Sequence, residues 1–495
     1  MAFSTPAFIF VFLPLALCMH WLMPRFLRKA SLLALSLFFY MWGESQAAIA
    51  VMLLAVLNYL FALVIEWLQR VDAQAGCRHA RLAMFVAVAV NVGVLFYYKY
   101  AAYVLGLLGF QSSSWNGHQL PLGISFFTFQ AIAYLVDTYR QQTRADHNPL
   151  NVGLCLLYYA KVGQGPLVRY QAFASQPVGQ SGAFALFAMG VRRFAVGLAK
   201  KILVADILGV TANAIFAVHH DQMTAGMSWL GLLCYTLQIF YDFSGYTDMA
   251  IGLGNMCGYE LPENFNYPYV ANSIKNFWDR WHMTLSRWLR DYLFLPIAVS
   301  VSKRLRGTTY AGIKTESIIY WFAAIVTMSI CGLWHGAGTR FVLWGAWHGV
   351  FLCVERSVVG RMLLRAWWPV RHAYAVAVVA IGWVFFRAES LSQAMLYLQS
   401  MWGSARGDGK AYYAAMYLDR QLFCTLVVAV VFSMPVVPQL GKTWRALLRH
   451  TPAAVAAILD GAAGIVVTLS IVALFVVAIA TMANSTYNPF IYFRF

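Results

Sequence analysis

Charged side chains are scarce in this chain. Only 11% of its 495 residues are Asp, Glu, Lys or Arg, against about 25% in soluble domains. That leaves no soluble domain long enough to stand apart. Acidic residues are scarcer still, 19 against 36 Lys and Arg. The eight cysteines include no CxxC pair, which argues against a thiolate metal site and a disulfide framework. There is no internal repeat of the whole fold and no low-complexity tract. The first apolar run starts almost at Met1 without a basic n-region or a small-residue cleavage site. It is expected to be a retained span rather than a cleaved signal peptide.

What the chain has instead is apolar length. Hydrophobic residues make up 61% of it. Runs at 7–23, 47–67, 82–97, 120–139, 227–241, 317–334, 422–437 and 461–482 approach or reach the ~18 residues of a transmembrane helix. Together with shorter runs they predict an all-α polytopic membrane protein of roughly 11 spans plus re-entrant pieces, one domain over residues 1–495. The net charge of +17 could suggest nucleic acid in a soluble protein. Here the basic residues cluster in short loops, such as Lys303, Arg304 and Arg306, or Lys442, Arg445 and Arg449. Cytoplasmic loops look like this, so no nucleic-acid partner is expected, and an anionic cofactor on that side stays compatible. The loop charges place both chain ends on the export side.

His335 ends the apolar run 317–334, within Leu333-Trp334-His335-Gly336-Ala337-Gly338. An ionisable residue inside a membrane protein is a functional-site hypothesis by default. The following apolar run, 341–354, has about 14 residues, or roughly 21 Å of helix against a hydrocarbon core of about 30 Å. The tip carrying His335 is therefore expected to sink below the outer surface beside a cavity, with Gly336 and Gly338 easing the turn.

Residues 276–296 read as one amphipathic interfacial helix. Trp278, Trp281, Leu285, Trp288, Leu289 and Tyr292 share an arc, with Arg280, Arg287 and Asp291 opposite, and Pro296 limits its continuation. His282 lies at the edge of the apolar arc. It is either a core histidine satisfied by a carbonyl or a second active-site group. His348, in Trp347-His348-Gly349, echoes Trp334-His335-Gly336. Metal ligation by the three histidines is conceivable, but no supporting carboxylate stands out, and no metal is expected.

The segments FYDFSGYTDMAIGLG (240–254), ENFNYPY (263–269), NFWDRWHMTLSRWLRDYL (276–293) and CGLWHGAGTRFVLWGAWHG (331–349) resemble signatures of the membrane-bound O-acyltransferases. LPLGISFFTFQAIAYLVD (120–137) and GPLVRY (165–170) do too. The chain is most similar to the bacterial branch containing the integral-membrane subunit of alginate O-acetylation. In one departure, Ile297-Ala298-Val299 stand where the family has a glycine pair after Leu295-Pro296.

The resemblance implies a ring of tilted helices around a thin centre crossed by a tunnel. It maps the hallmark histidine onto His335 and the second polar active-site position onto His282. Trp278, Trp281, Trp334, Trp347, His348, Asp242, Ser244 and Asn266 are expected to support the tunnel. It also implies acetyl-CoA as donor in the cytosol and an exported polysaccharide as acceptor, alginate or bacterial cellulose, in a Gram-negative inner membrane. A periplasmic SGNH-type acetyltransferase would complete the transfer. His335 would take the hydroxyl proton, and His282 would orient it or polarise the acyl carbonyl. The extracytoplasmic tail, 483–495, is an aromatic interface anchor or, by resemblance to teichoic acid D-alanylation systems, an acyl carrier through Tyr492. Within the family, peptidoglycan acetylation and teichoic acid D-alanylation remain alternatives. From other classes, a proton-coupled transporter or flippase predicts inverted repeats, which are not evident. A secretion scaffold predicts tolerance of His335→Ala.

Overall fold

A computed structural model describes residues 2–42, 45–71, 78–109, 121–176, 183–404, 407, 409, 412–484 and 490–491. Nearly all regular structure is helical. The one small exception among the described residues is an antiparallel pair, Thr309–Tyr310 with Ile313–Lys314, closed by Ala311 and Gly312 at positive φ, as a two-residue hairpin turn requires.

Backbone contacts group the chain into two compact units, 1–194 with 246–263, and 195–245 with 264–495. In the first unit, helices Ser45–Val71, Arg78–Lys99 and Ile124–Tyr139 pack on one another. The amides of Asn58 and Asn91 are buried between two of them and bond reciprocally at 3.0 and 2.8 Å. Such a pair satisfies polar groups that have no water at membrane depth.

The second unit is built on the helical hairpin Thr315–His335 and Thr339–Arg356. These two helices approach until their backbones touch. A Cβ on Gly332 would lie 2.0 Å from the carbonyl oxygen of Phe341, and one on Gly345 would lie 2.0 Å from that of Met328. Small residues at a helix crossing permit this approach. Helix Trp368–Arg387 packs on the second arm.

Three expectations change here. The return arm has 18 residues, about 27 Å at 1.5 Å per residue, so it is not short. Gly336 and Gly338 have φ of −169° and 178°, extended values open to any residue, so the turn does not need them for backbone freedom. Gly336 is required for space instead, because its Cβ would meet the Phe341 ring at 2.1 Å. The segment 276–296 is not one helix. It forms Ile274–Trp278, a turn, then Met283–Leu289. A wide π-type turn, Arg290–Phe294, carries the helix through Pro296 to Ser302. Its longer hydrogen-bonded ring accommodates the missing proline N–H.

Among the described residues, five helices are long and apolar enough to cross a membrane: Ala48–Val71, Arg78–Lys99, Thr315–His335, Trp368–Arg387 and Ala453–Asn484. A sixth counts if Arg420–Phe432 and Val436–Arg449, bent by 58°, form one broken span. The bend falls at Pro435, where the sequence suggested a continuous run. The window 227–241 lies inside a longer helix, Ala225–Met256.

Candidate functional site

All the described candidate residues lie in the second unit. His335 is the last residue of its helix and is 4% exposed. Its ring meets Trp334, Trp344 and Phe386 at centroid distances of 4.6, 5.1 and 5.1 Å. An apolar run delivers the imidazole to a helix end, and the neighbouring arms close aromatic walls round it.

His282 is held differently. It is buried at φ 43°, ψ 53°, the left-handed residue between the two short helices. For a non-glycine residue that conformation is uncommon, and one neighbour explains it. The backbone carbonyl of Asn264 accepts the Met283 N–H at 2.9 Å. The Asn264 side-chain oxygen accepts from the backbone N–H of Thr284 at 3.2 Å and from its hydroxyl at 2.9 Å. The same oxygen lies 3.0 Å from His282 Nδ1. A backbone N–H can only donate, so the Asn264 atom facing it is the carbonyl oxygen. Nδ1 must then carry the proton, and Nε2 is the basic nitrogen of the neutral ring. His282 lies outside the candidate spans, and burial pushes its pKa down to about 3. It is therefore neutral near pH 7. Phe243 packs edge-on to it at 4.7 Å.

The two histidines are joined through aromatic residues. From His335 the contacts run to Trp344, then to Trp383 at 5.9 Å, then to Trp281 at 5.0 Å, the residue before His282. Trp278 stands beside Trp344 at 5.8 Å and His348 at 5.3 Å. Glu355, at the end of the return arm, fixes this arrangement. Its carboxylate accepts the backbone N–H of Ile274, and that of Lys275 at 3.0 Å. The segment that leads to His282 is thus tied to the hairpin that carries His335.

The other candidates separate. His348 is fully buried against Trp278, Trp344 and Phe277. Neither of its ring nitrogens has a hydrogen-bond partner among the described residues. Trp347 faces elsewhere, donating to the carbonyl of Val378 at 2.9 Å and packing on Phe351. Ser244 is buried, and Asp242 is paired with Lys201 at 2.8 Å. Asn266 is exposed, and its backbone N–H and carbonyl both bond to Arg280 at 3.0 Å. Asn264, two residues away, is the asparagine that meets His282, and the sequence reading passed over it. Tyr492 lies outside the described residues. Among those described, no three His, Cys, Asp or Glu side chains gather as a metal site.

Comparison with known proteins bears on this arrangement. Residues 37–396 match the membrane-bound O-acyltransferase family. A probable alginate O-acetylase of Azotobacter vinelandii is 33% identical, over the full length of both chains. A peptidoglycan O-acetyltransferase of Helicobacter pylori is 31% identical, over 81% of this chain and 80% of its own. A teichoic acid D-alanyltransferase of Bacillus subtilis is 29% identical, over 47% of this chain and 58% of its own.

Proposed function

The chain belongs to the membrane-bound O-acyltransferase family, and from that premise we propose that it moves acetyl groups from cytosolic acetyl-CoA across the membrane for O-acetylation of an exported polysaccharide. Alginate is the first acceptor to test, because a relative matched over its full length is a probable alginate O-acetylase. Bacterial cellulose is the second. Peptidoglycan is favoured next, by the Helicobacter relative. The observation that carries the proposal is the joining of His335 and His282, both buried, through a continuous aromatic wall.

His335 acts as the base. It takes the proton of an acceptor hydroxyl, the oxygen forms a bond to the thioester carbonyl carbon, and the carbon–sulfur bond breaks to release CoA thiolate. Neutral His282, with Nδ1–H committed to Asn264, has no proton on Nε2 to donate. That supports an accepting and orienting role rather than polarisation of the carbonyl. Trp344, Trp281 and Trp278 exclude water, so that hydrolysis competes less with transfer.

The rest of the architecture is proposed on the same footing: about 11 spans in a ring around a tunnel, and a Gram-negative inner membrane with both termini periplasmic. Lys303, Arg304 and Arg306 would attract the CoA phosphates. Tyr492 would be the first acceptor, its phenol attacking the thioester with His335 as base. A phenyl ester is activated enough to pass acetyl to a sugar hydroxyl, with an SGNH-type periplasmic acetyltransferase finishing the transfer. Tyr492→Phe in cells tests this step, and full polymer acetylation would sink it. Comparing acetyl content of the exported polymer in wild type and His335→Ala tests the function. Loss is expected, and unchanged acetylation would instead favour a scaffold.

A further inference from the structure

One buried ionic cluster has no part in the chemistry above. Lys201 and Asp242 pair at 2.8 Å, each side chain 2% exposed, and Lys201 also reaches Asp206 at 2.7 Å. Desolvation offsets most of the attraction in a buried pair, so stability alone is a weak reason to keep one. Its geometry suggests another. The second carboxylate oxygen of Asp242 accepts the backbone N–H of Ile491 at 2.8 Å, across 249 residues of sequence. The Lys201 ammonium sits 4.6 Å from the centroid of the Phe490 ring, which is fully buried. Both charges therefore touch two adjacent residues near the chain end. A bond to the main chain reads register rather than side-chain identity.

The same helix connects this cluster to the proposed site. Asp242 and Phe243 are neighbours on Ala225–Met256, and successive side chains on a helix diverge by about 100°. One turn thus gives a carboxylate to the tail and an aromatic edge to His282.

We propose that the Lys201–Asp242 pair is a latch that docks Phe490 and Ile491 in one register, on which acyl transfer to the next residue in sequence, Tyr492, depends. Lys201 and Asp242 are positioning residues. The inference rests on the reading of Tyr492 as acyl carrier.

Two measurements test it on the purified full chain in detergent. The first is carboxypeptidase trimming followed by intact mass. Phe490 and Ile491 should resist removal in the wild type. Residues 490 and 491 should be lost at least tenfold faster in Asp242→Ala and in Phe490→Ala, the second of which leaves the ion pair intact. Equal rates would overturn the latch. The second is the ratio of self-acetylation to acetyl-CoA hydrolysis. A latch on which transfer to Tyr492 depends should lower this ratio about tenfold in both variants. A merely structural pair would lower both rates together and leave the ratio fixed, overturning the proposal. Tyr492→Phe separates the two readings. Slow trimming with lost transfer supports both, whereas slow trimming with full transfer removes the carrier role while the docking stands.

Discussion

Replacing Asn264 by Ala should injure this protein more than any other single asparagine change in ENFNYPY. One side-chain oxygen there serves three donors: His282 Nδ1, the Thr284 N–H and the Thr284 hydroxyl. A neutral hydrogen bond contributes about 0.5–1.5 kcal/mol net, and each buried donor left without a partner costs about 1–3 kcal/mol. Thr284 is 5% exposed and His282 1%, so water cannot easily replace the lost acceptor. Three such donors, each at the low end of that range, sum to a destabilisation of about 3 kcal/mol. The catalytic loss should exceed what unfolding explains, because His282 would no longer be fixed in its tautomer. A fall in kcat of about 10–100-fold is expected, by analogy with the scale seen when the partner that orients a metal-bound histidine is removed. The assay is acetyl-CoA turnover by purified protein, normalised to the folded fraction from a thermal melt. Asn266→Ala is the control: its side chain is exposed and makes no hydrogen bond among the described residues, so it should stay within about 0.5 kcal/mol and keep its activity. If Asn264→Ala retained activity within twofold, or Asn266→Ala matched it, the assignment of the clamp would be wrong.

Other outcomes follow from the same geometry. Gly332→Ala and Gly345→Ala should each sharply reduce folded yield in a detergent-solubilised expression assay, since a Cβ 2.0 Å from a backbone oxygen forces the hairpin apart. Gly338→Ala should be tolerated, its nearest neighbour being 3.9 Å away at an extended φ. Glu355→Ala should destabilise by about 2–4 kcal/mol, because two backbone donors lose a charged acceptor; a melt shifted by less than 1 °C would contradict this. His282 is held at a folded pKa of about 3, below its ordinary 6.5. Between those values the unfolded chain binds the extra proton, so the contribution of His282 is whole above pH 6.5 and is lost as pH falls toward 3. The melting temperature of wild type should therefore drop between pH 6.5 and 4.5 more steeply than that of His282→Gln, and parallel curves would refute the burial argument.

How much of this was legible in the sequence depends on the range of the interaction involved. His335 stood out because local hydropathy alone places an imidazole at the end of an apolar helix. The burial of Trp278, Trp281, Leu285, Trp288, Leu289 and Tyr292 followed from their spacing and holds, even though the single helix does not. Periodicity continued unbroken across Asp279 to His282, all of which tolerate a helix. The break there comes from Asn264, 18 residues away, whose bonds compensate a left-handed residue. Nothing local distinguishes Asn264 from Asn266, since both sit in the same turn-rich stretch and only the fold decides which faces inward. The Asp242 contacts with Lys201 and Ile491 span 41 and 249 residues, beyond any periodicity. The return arm was underestimated because Thr339 and Arg340, at one end, and Glu355 and Arg356, at the other, look like loop yet extend the helix.

The central claim is that His335 takes the proton in an acyl transfer from a thioester. Purified protein incubated with radiolabelled acetyl-CoA tests it most directly, read as free CoA released together with label on protein or acceptor. The wild type should turn over and His335→Ala should lose activity by about 10²–10⁴-fold, the usual contribution of a positioned base, with its melt unchanged. Equal rates in the two proteins, or no turnover of the thioester by the wild type, would contradict it.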